Sequence, residues 1–395
     1  MNVNKDLSYT FNLSRLCMRI LGIWPDPNVP LKVFRRPKIG FMLITFIMSL
    51  YVFTPQIINV IRAWGNINRM MEFFVAINFF FMALCKLIFT RYHGEKLRKL
   101  IASIMTDWTT SNNDWERNTM LKLARTGRML TFGYFAAAIG TIISAYYVRL
   151  VRVFQNIHQP RRYLVYRFDY IQKSPNYEIT CCLQMLGSTC AILGNYSADS
   201  FISILVLHMC AQLINLRTTL NNLIDEFDNK SISSLKFRKG LTAIVMRHKH
   251  IIRCTQTIND CYSSVLFVHM LGASFQFCLI TFQIFTMLTD NLDFSLIRVT
   301  FLTFFTFFVL TQLFVYCYAA ERLLTESTNM AYGVYECKWY DIPAKNAKDL
   351  MLIVYRSTTP LKLSAGKFGN FSLELFAIAI KTSMGYLSAL LTIRE

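Results

Sequence analysis

Residues 371–393 read FSLELFAIAIKTSMGYLSALLTI and form the last apolar segment of the chain. The segment is long enough to cross a bilayer, because about 20 mainly apolar residues suffice. Small and hydroxylated residues alternate with bulky ones in it, which favours close helix packing or contact with water over a helix surrounded by lipid. One helical face carries Tyr386, Ala389, Leu390 and Ile393. We interpret this face either as a hydrophobic gate, which blocks ions by dewetting, or as an ordinary packing face.

The composition indicates a membrane protein. Of 395 residues, 54% are hydrophobic and 33 are Phe, so a globular core cannot hold all the apolar surface and lipid must cover part of it. The formal net charge of +19 is typical of loops that face the cytoplasm and anionic membrane lipid, and we exclude a nucleic-acid partner. Most of the 11 cysteines lie in apolar segments, and neither a disulfide framework nor a metal spacing emerges.

Hydropathy predicts an all-α membrane protein with seven transmembrane helices, organised as a single membrane domain over residues 1–395. The spans are expected at about 39–61, 71–90, 129–148, 181–216, 262–289, 296–319 and 371–393. Pro55 is expected to kink the outer part of the first span. Residues 217–261 read as a largely water-facing helix. Near the N-terminus, an amphipathic run from Phe11 to Ile20 predicts a helix on the inner leaflet or, alternatively, one packed against the protein.

Basic residues set the predicted orientation. With seven spans, Lys and Arg are roughly three times as frequent on the N-terminal side of the membrane as on the other side. The N-terminus is therefore expected in the cytosol and the C-terminus outside, inverted relative to a G-protein-coupled receptor. The first residues also lack the apolar core and cleavage site of a signal peptide, which agrees with a cytosolic N-terminus.

Several motifs resemble the closing signature of insect odorant receptors. They are YECKWYDIP at 335–343, SAGKF at 364–368, SLELF at 372–376 and KTS at 381–383, followed by YLS at 386–388. LGIWP at 21–25, the chain length, the seven spans and the inverted topology also fit, so the resemblance covers nearly the whole chain. Only the part after residue 335 is specific to the family.

The resemblance implies a ligand-gated, non-selective cation channel in the plasma membrane of olfactory neuron dendrites. An odorant-binding subunit and a shared co-receptor would form a heterotetramer, and the last helix of each subunit would line a common pore. The residues that would line or border the pore are Tyr386, Ala389, Leu390, Thr392 and Ile393. Ala389 and Ile393 stand at the positions of the co-receptor's apolar gate, and Thr392 replaces a Gln, so this subunit is expected to constrict the pore less than its partner.

The resemblance also implies that a small volatile or lipid-like odorant binds in the outer half of the bundle. An apolar cavity with one or two orienting polar groups suits such a ligand. The candidate ligand-binding residues are Phe74, Ile77, Phe81, Ala138, Ile142, Tyr146, Met185, Ser188, Gln276, Ile280, Gln283 and Phe304. Each aromatic residue alone is more often core or lipid contact, and we expect half of the set to touch ligand.

Charged residues inside the spans have structural interpretations. Asp199 needs a partner within the membrane, and Lys86 lies at a similar depth in the second span. Lys381 is expected to pack or to snorkel away from the pore face. His208, His248 and His250 lack converging ligands, so neither a metal site nor a cofactor is predicted. No arrangement of catalytic residues emerges, and we predict that the protein is not an enzyme.

Three alternatives remain open at the level of sequence. Within the wider family, a gustatory-type receptor assembles its own channel, but the WY pair at 339–340 and the KTS run favour the odorant branch. A G-protein-coupled receptor is opposed by the charge distribution. A secondary transporter is opposed by the absence of internal sequence symmetry.

Overall fold

The protein is a bundle of long helices. A computed structural model describes residues 3–35, 38–111, 113–155, 175–229, 231–289, 296–366 and 369–394. Its helices are α1 (Val3–Ile20), α2 (Leu31–Arg35), α3 (Ile39–Ile47), α4 (Thr54–Arg62), α5 (Ile67–Tyr92), α6 (Gly94–Thr110), α7 (Asp114–Gln155), α8 (Asn176–Asp228), α9 (Ser234–Thr289), α10 (Leu296–Glu336), α11 (Ala344–Ser357) and α12 (Leu373–Arg394). A short 3-10 helix, Trp339–Asp341, precedes α11, and strands β1 (Ser364–Ala365) and β2 (Gly369–Asn370) form an antiparallel hairpin before α12.

Six of the predicted spans coincide with segments that can cross a membrane. Among the described residues, six helical segments are long and apolar enough to do so: Leu31–Arg62, Arg69–Tyr92, Asp114–Val151, Asn176–Asp228, Ser234–Met287 and Leu296–Glu336. Each overlaps one of the first six predicted spans. The seventh prediction coincides with α12, which is not among the six.

Several helices extend well beyond the predicted spans. The third begins at Asp114 rather than at residue 129, and α6 fills most of the polar region before it. The reason is a hydrophobic stripe with helical period in α6, whose buried members are Leu97, Leu100, Ile101, Ile104 and Trp108. The predicted helix over 217–261 is confirmed as the end of α8 and the first half of α9. Residues 156–174 and 290–295, in the predicted outer loops, lie outside the described residues.

The first span is interrupted just before Pro55. A π-helical turn, Met48–Phe53, separates α3 from α4, and the Thr54 hydroxyl donates to the Ser49 carbonyl at 2.8 Å. Proline has no N–H to continue the α-helical pattern, so the preceding turn rearranges its hydrogen bonds. The sequence therefore located the irregularity correctly, and the structure shows that it takes the form of a wider turn.

Helix α8 is the centre of the bundle. Its segment from Cys190 to Leu213 is almost continuously buried, and it packs against α1, α5, α7, α9 and α10. Close approach depends on glycine at two points. A Cβ atom at Gly187 would lie 2.7 Å from Val52, and one at Gly194 would lie 3.3 Å from Leu87.

The N-terminal helix packs against the protein, as in the second of the two interpretations. Phe11 is buried between Trp24 and Phe201 of α8, with ring centroids 6.0 and 5.9 Å away. Leu16 and Ile20, on the other face of α1, remain more than half exposed. The helix is therefore anchored to α8 by aromatic packing and presents a second apolar strip outward.

Candidate functional site

A buried polar network joins four helices in the middle of the bundle. The predicted partnership of Asp199 with Lys86 is confirmed: the ammonium nitrogen lies 2.7 Å from Oδ1, and both side chains are at most 1% exposed. Tyr134 and Gln312 donate to Oδ2 at 2.9 and 2.8 Å, and the Tyr316 hydroxyl donates to Oδ1. These five residues, on α5, α7, α8 and α10, are called the Asp199 network.

The Asp199 network neutralises a charge that would otherwise be costly. A carboxylate removed from water needs both an opposite charge and hydrogen bonds to its remaining lone pairs. Lys86 supplies the charge, while two phenols and one amide supply the hydrogen bonds. Because each donor comes from a different turn or helix, the network fixes the relative positions of α5, α7, α8 and α10.

Tyr134, Gln312 and Tyr316 were missed by sequence reasoning. Each sits in an apolar run, and an aromatic or amide side chain there reads equally well as core or lipid contact. Their only sequence signal is that a buried carboxylate requires donors in neighbouring spans. Choosing among the available hydroxyls and amides required the helix packing itself.

Aromatic rings lie directly against this network. The aromatic cluster consists of Phe79, Tyr134, Tyr196, Phe305 and Phe308, all buried. Tyr134 stacks on Phe308 at 5.0 Å, and Phe79 meets the ring of Phe305 edge-on at 5.3 Å. Tyr134 belongs to both groups, so the aromatic cluster and the Asp199 network are continuous.

Three of the candidate ligand-binding residues make contacts that link neighbouring helices. The Tyr146 hydroxyl is 3.0 Å from the Thr189 hydroxyl, which links α7 to α8 beside Ser188. Gln276 donates to the Val75 carbonyl at 3.0 Å, which links α9 to α5.

A third link joins α7 to α10. The Phe304 ring lies against Gly140, where a Cβ atom would be 2.7 Å from it, and the Phe304 carbonyl accepts a hydrogen bond from Thr141 at 3.3 Å. The large aromatic side chain therefore fits only because α7 has no side chain at that point.

Burial divides the predicted ligand-binding set. The buried members are Ala138, Gln276, Ile280 and Gln283; those half-buried are Phe74, Ile77, Ile142, Met185 and Ser188; and those exposed are Phe81, Tyr146 and Phe304. The Gln283 amide nitrogen has no hydrogen-bond partner among the described residues. The predicted set thus combines partly accessible apolar groups with a few polar ones.

Helix α12, which carries the predicted pore residues, is held at its base by α9 and α10. The Ser383 hydroxyl donates to the Ser274 carbonyl of α9 at 2.9 Å, and Phe376 meets Phe314 of α10 at 5.7 Å. Tyr386, Ala389 and Thr392 are exposed, as is Lys381. The side chains of Leu390 and Ile393 lie outside the described residues.

A second polar network lies in the long helical extensions. Arg247 of α9 contacts Glu116 of α7 at 3.3 Å and Gln212 of α8 at 2.9 Å, and His208 contacts Asp107 of α6 at 3.0 Å. A cavity with room for about one water molecule lies beside His208 and Trp108. These contacts bind the extensions into one body and lie apart from the predicted ligand-binding residues.

Comparisons with known proteins agree with this architecture. The family model described as 7tm Odorant receptor matches residues 66–384. Odorant receptor 13a of Drosophila melanogaster is 24% identical over 324 residues, which cover 77% of this chain and 75% of that protein. The odorant receptor coreceptor of Aedes aegypti is 26% identical over 160 residues, or 40% of this chain and 32% of that protein.

A solved structure has the same fold. The insect olfactory receptor OR5 from Machilis hrabei superposes with a TM-score of 0.81 at 15% identity, and the match covers 100% of both chains. The same receptor in complex with eugenol gives a TM-score of 0.80. The buried polar network suits a membrane bundle of several helices, and the family model spans most of the chain. This protein therefore belongs to the odorant receptor family.

Proposed function

We propose that this chain is the odorant-binding subunit of a ligand-gated non-selective cation channel, assembled with the shared co-receptor as a heterotetramer. The observation that carries the proposal is the family match over residues 66–384. The match to Odorant receptor 13a of Drosophila melanogaster extends over 77% of this chain, whereas the match to the odorant receptor coreceptor of Aedes aegypti extends over 40%. The chain therefore takes the place of the tuning subunit, in the plasma membrane of olfactory neuron dendrites.

The proposed topology has seven spans, a cytosolic N-terminus and an external C-terminus. Six segments have the length and hydropathy of membrane helices, and α12 is the seventh. Its exposed surface combines Tyr386 with small residues, which suits a helix that faces water and other subunits rather than lipid alone. In the assembled channel, α12 lines the pore.

The proposed odorant site lies where α5, α7, α8 and α10 meet in their outer halves. In this proposal the buried aromatic cluster forms the floor of the site, and the half-buried residues of the predicted set line it nearer the surface. The fold shared with a receptor solved in complex with eugenol supports a small aromatic or aliphatic volatile as the ligand. Binding in such a site depends mainly on dispersion, so affinity is modest and tuning is broad.

Helix α10 connects the odorant site to α12 in the proposed mechanism. It contributes Phe305 and Phe308 to the aromatic cluster, and in the next two turns it contributes Gln312 and Tyr316 to the Asp199 network. The Tyr316 ring then meets Phe371, at the start of the last segment, with centroids 5.7 Å apart.

A further contact ties α10 to the base of the pore helix. Glu321 accepts a hydrogen bond from the Leu373 backbone N–H at 3.2 Å. An odorant that favours a displaced position of α10 would therefore shift α12 with it, and the gate widens when the displaced state becomes the more populated one.

Odour-evoked cation current tests the proposal. We expect no current from this chain alone, none from a co-receptor alone with tuned odorants, and current from the two together, measured with a mixed panel of volatiles. Current from this chain alone would instead indicate a gustatory-type, self-assembling channel. A response that requires a G protein and has no direct conductance would overturn the channel proposal.

A further inference from the structure

Positively charged residues cluster where α1 ends, α3 begins and α5 ends, on one side of the bundle. Arg19 forms an ion pair with Asp26 at 3.2 Å, and Arg15 lies near both. Lys38, just before α3, lies within electrostatic reach of Arg19, Asp26 and Arg91. These residues, Arg15, Arg19, Asp26, Lys38 and Arg91, are called the junction cluster, and they place four cations around a single carboxylate.

Backbone carbonyls and an aromatic ring hold two of the nearby arginines in position. Arg91 donates to the Phe34 carbonyl at 2.7 Å and lies over the Phe34 ring at 4.8 Å. Arg98 donates to the Pro27 carbonyl at 2.8 Å. Glu95, one turn after Arg91, adds a second acid, so with Arg98 these seven described residues comprise five bases and two acids. Among the residues that the structure describes, the junction therefore has a formal excess of positive charge.

Exposed apolar residues border the junction cluster. Leu16 and Ile20 project from α1 beside Arg15 and Arg19, and Ile39 follows Lys38 with 83% of its side chain exposed. Val33, Met42 and Leu43 continue this apolar strip into the first membrane segment. Cations beside an apolar strip at the end of a membrane helix form the pattern that binds an anionic lipid surface.

We propose that the junction cluster binds the headgroup of an anionic phospholipid from the cytosolic leaflet, a proposal that rests on the cytosolic N-terminus of the proposed function. Charge complementarity selects an anion, because guanidinium groups bind phosphate oxygens in pairs. The exposed apolar strip selects a lipid over a free phosphate, because acyl chains can cover Ile39, Met42 and Leu43. The bound lipid would link α1 to the first span and to the end of α5.

The test measures lipid binding to the full chain assembled with its co-receptor, by native mass spectrometry in neutral detergent. Phosphatidylserine is the probe, and phosphatidylcholine is the neutral comparison. We expect selective retention of phosphatidylserine. The double variant Arg19→Gln, Lys38→Gln should bind it about 25-fold more weakly, because each basic residue near an anionic surface contributes a factor of about five.

Two further variants make the test specific to this site. Lys236→Gln, Lys239→Gln removes two exposed cations from α9 and should leave phosphatidylserine binding unchanged. Asp26→Asn removes the carboxylate of the junction cluster and should strengthen binding about fivefold, an effect that a misfolded protein would not produce.

Three results would overturn the proposal. They are equal retention of phosphatidylcholine, equal loss in the α9 control, and binding of inositol hexakisphosphate as tight as that of phosphatidylserine, which would indicate a soluble anion. Odour-evoked current measured on the same variants separates this proposal from the channel proposal. Normal current without lipid selectivity counts against the lipid site, whereas selective lipid binding without any current counts against the channel.

Discussion

The middle of the bundle and its periphery each contain a lysine–aspartate pair, in opposite surroundings. Lys86 and Asp199 lie 2.7 Å apart with side chains 1% and 0% exposed, and three further donors complete the carboxylate. Lys338 and Asp228 lie 3.3 Å apart with side chains 56% and 23% exposed. The first pair determines how four helices fit together, while the second is screened by water. The same two residue types thus define the architecture in one place and contribute little in the other.

The largest expected effect comes from breaking the buried pair. Lys86→Met leaves the Asp199 carboxylate buried without its counter-charge, and removing one partner of such a pair costs about 3–5 kcal/mol. We expect a large fall in the thermal unfolding midpoint of the detergent-solubilised protein. Adding Asp199→Asn to Lys86→Met should restore part of the loss, since the double variant buries no charge and the amide oxygen can still accept hydrogen bonds from the network. If the double variant is no more stable than the single one, the unpaired buried charge is not the cause of the lost stability.

The matched control for that experiment is the exposed pair. The hydrogen bond and charge of Asp228 raise the pKa of Lys338, so any stabilisation is fully present below the unfolded-state pKa and disappears as pH rises through the folded-state pKa. Across neutral pH the lysine is charged in both states. Any loss of stability in Lys338→Met should therefore be the same at about pH 6 as at about pH 8, and it should be small because water screens the exposed pair.

A second prediction concerns the aromatic cluster. Phe308 is fully buried against Tyr134 and Phe79, whereas its neighbour Phe307 is exposed. Phe308→Ala loses the transfer free energy of the buried ring and leaves a cavity, which together cost about 3 kcal/mol. Phe307→Ala should cost much less, because lipid replaces the lost contacts. Comparable shifts in the unfolding midpoint for the two variants would contradict the packing seen here.

A smaller effect is expected for Tyr146→Phe in the proposed odorant site. The change removes the hydrogen bond to Thr189, worth about 1 kcal/mol, so the half-maximal odorant concentration should rise about fivefold. Tyr147 is the next residue of the same helix, is more exposed than Tyr146 and is not in the predicted ligand-binding set. Tyr147→Phe should therefore leave the dose–response curve unchanged. If both variants respond like the unmodified chain, Tyr146 does not position ligand.

The smallest perturbation tests orientation without altering function. Cys182 is the exposed one of the 11 cysteines, and it lies near the start of α8. Burial raises the pKa of Cys17 in α1 to about 11, so its thiol resists alkylation. A membrane-impermeant maleimide applied to intact cells should label Cys182, and Cys182→Ser should abolish the signal. Labelling that requires permeabilised cells would reverse the proposed topology.

The differences between expectation and structure follow from the range of the interactions involved. The Lys86–Asp199 pair was predictable, because a charge inside a span has few possible partners at its depth. The predicted spans underestimated the lengths of α6 and α7. Hydropathy locates the apolar part of a helix and gives no signal where the helix continues through polar sequence. The role of α1 depended on Phe201, a residue nearly two hundred positions away in the sequence.

The sequence by itself determined the all-α membrane class, the approximate position of each apolar segment and the odorant receptor family. These properties depend on composition, period and short motifs, all of which are local. Tertiary structure alone decided that Tyr134, Gln312 and Tyr316 converge on Asp199, that Phe304 fits against Gly140, and that α10 contacts both the aromatic cluster and the base of α12. The physical reason is that a helix has several faces, and only packing against its neighbours selects which residues meet.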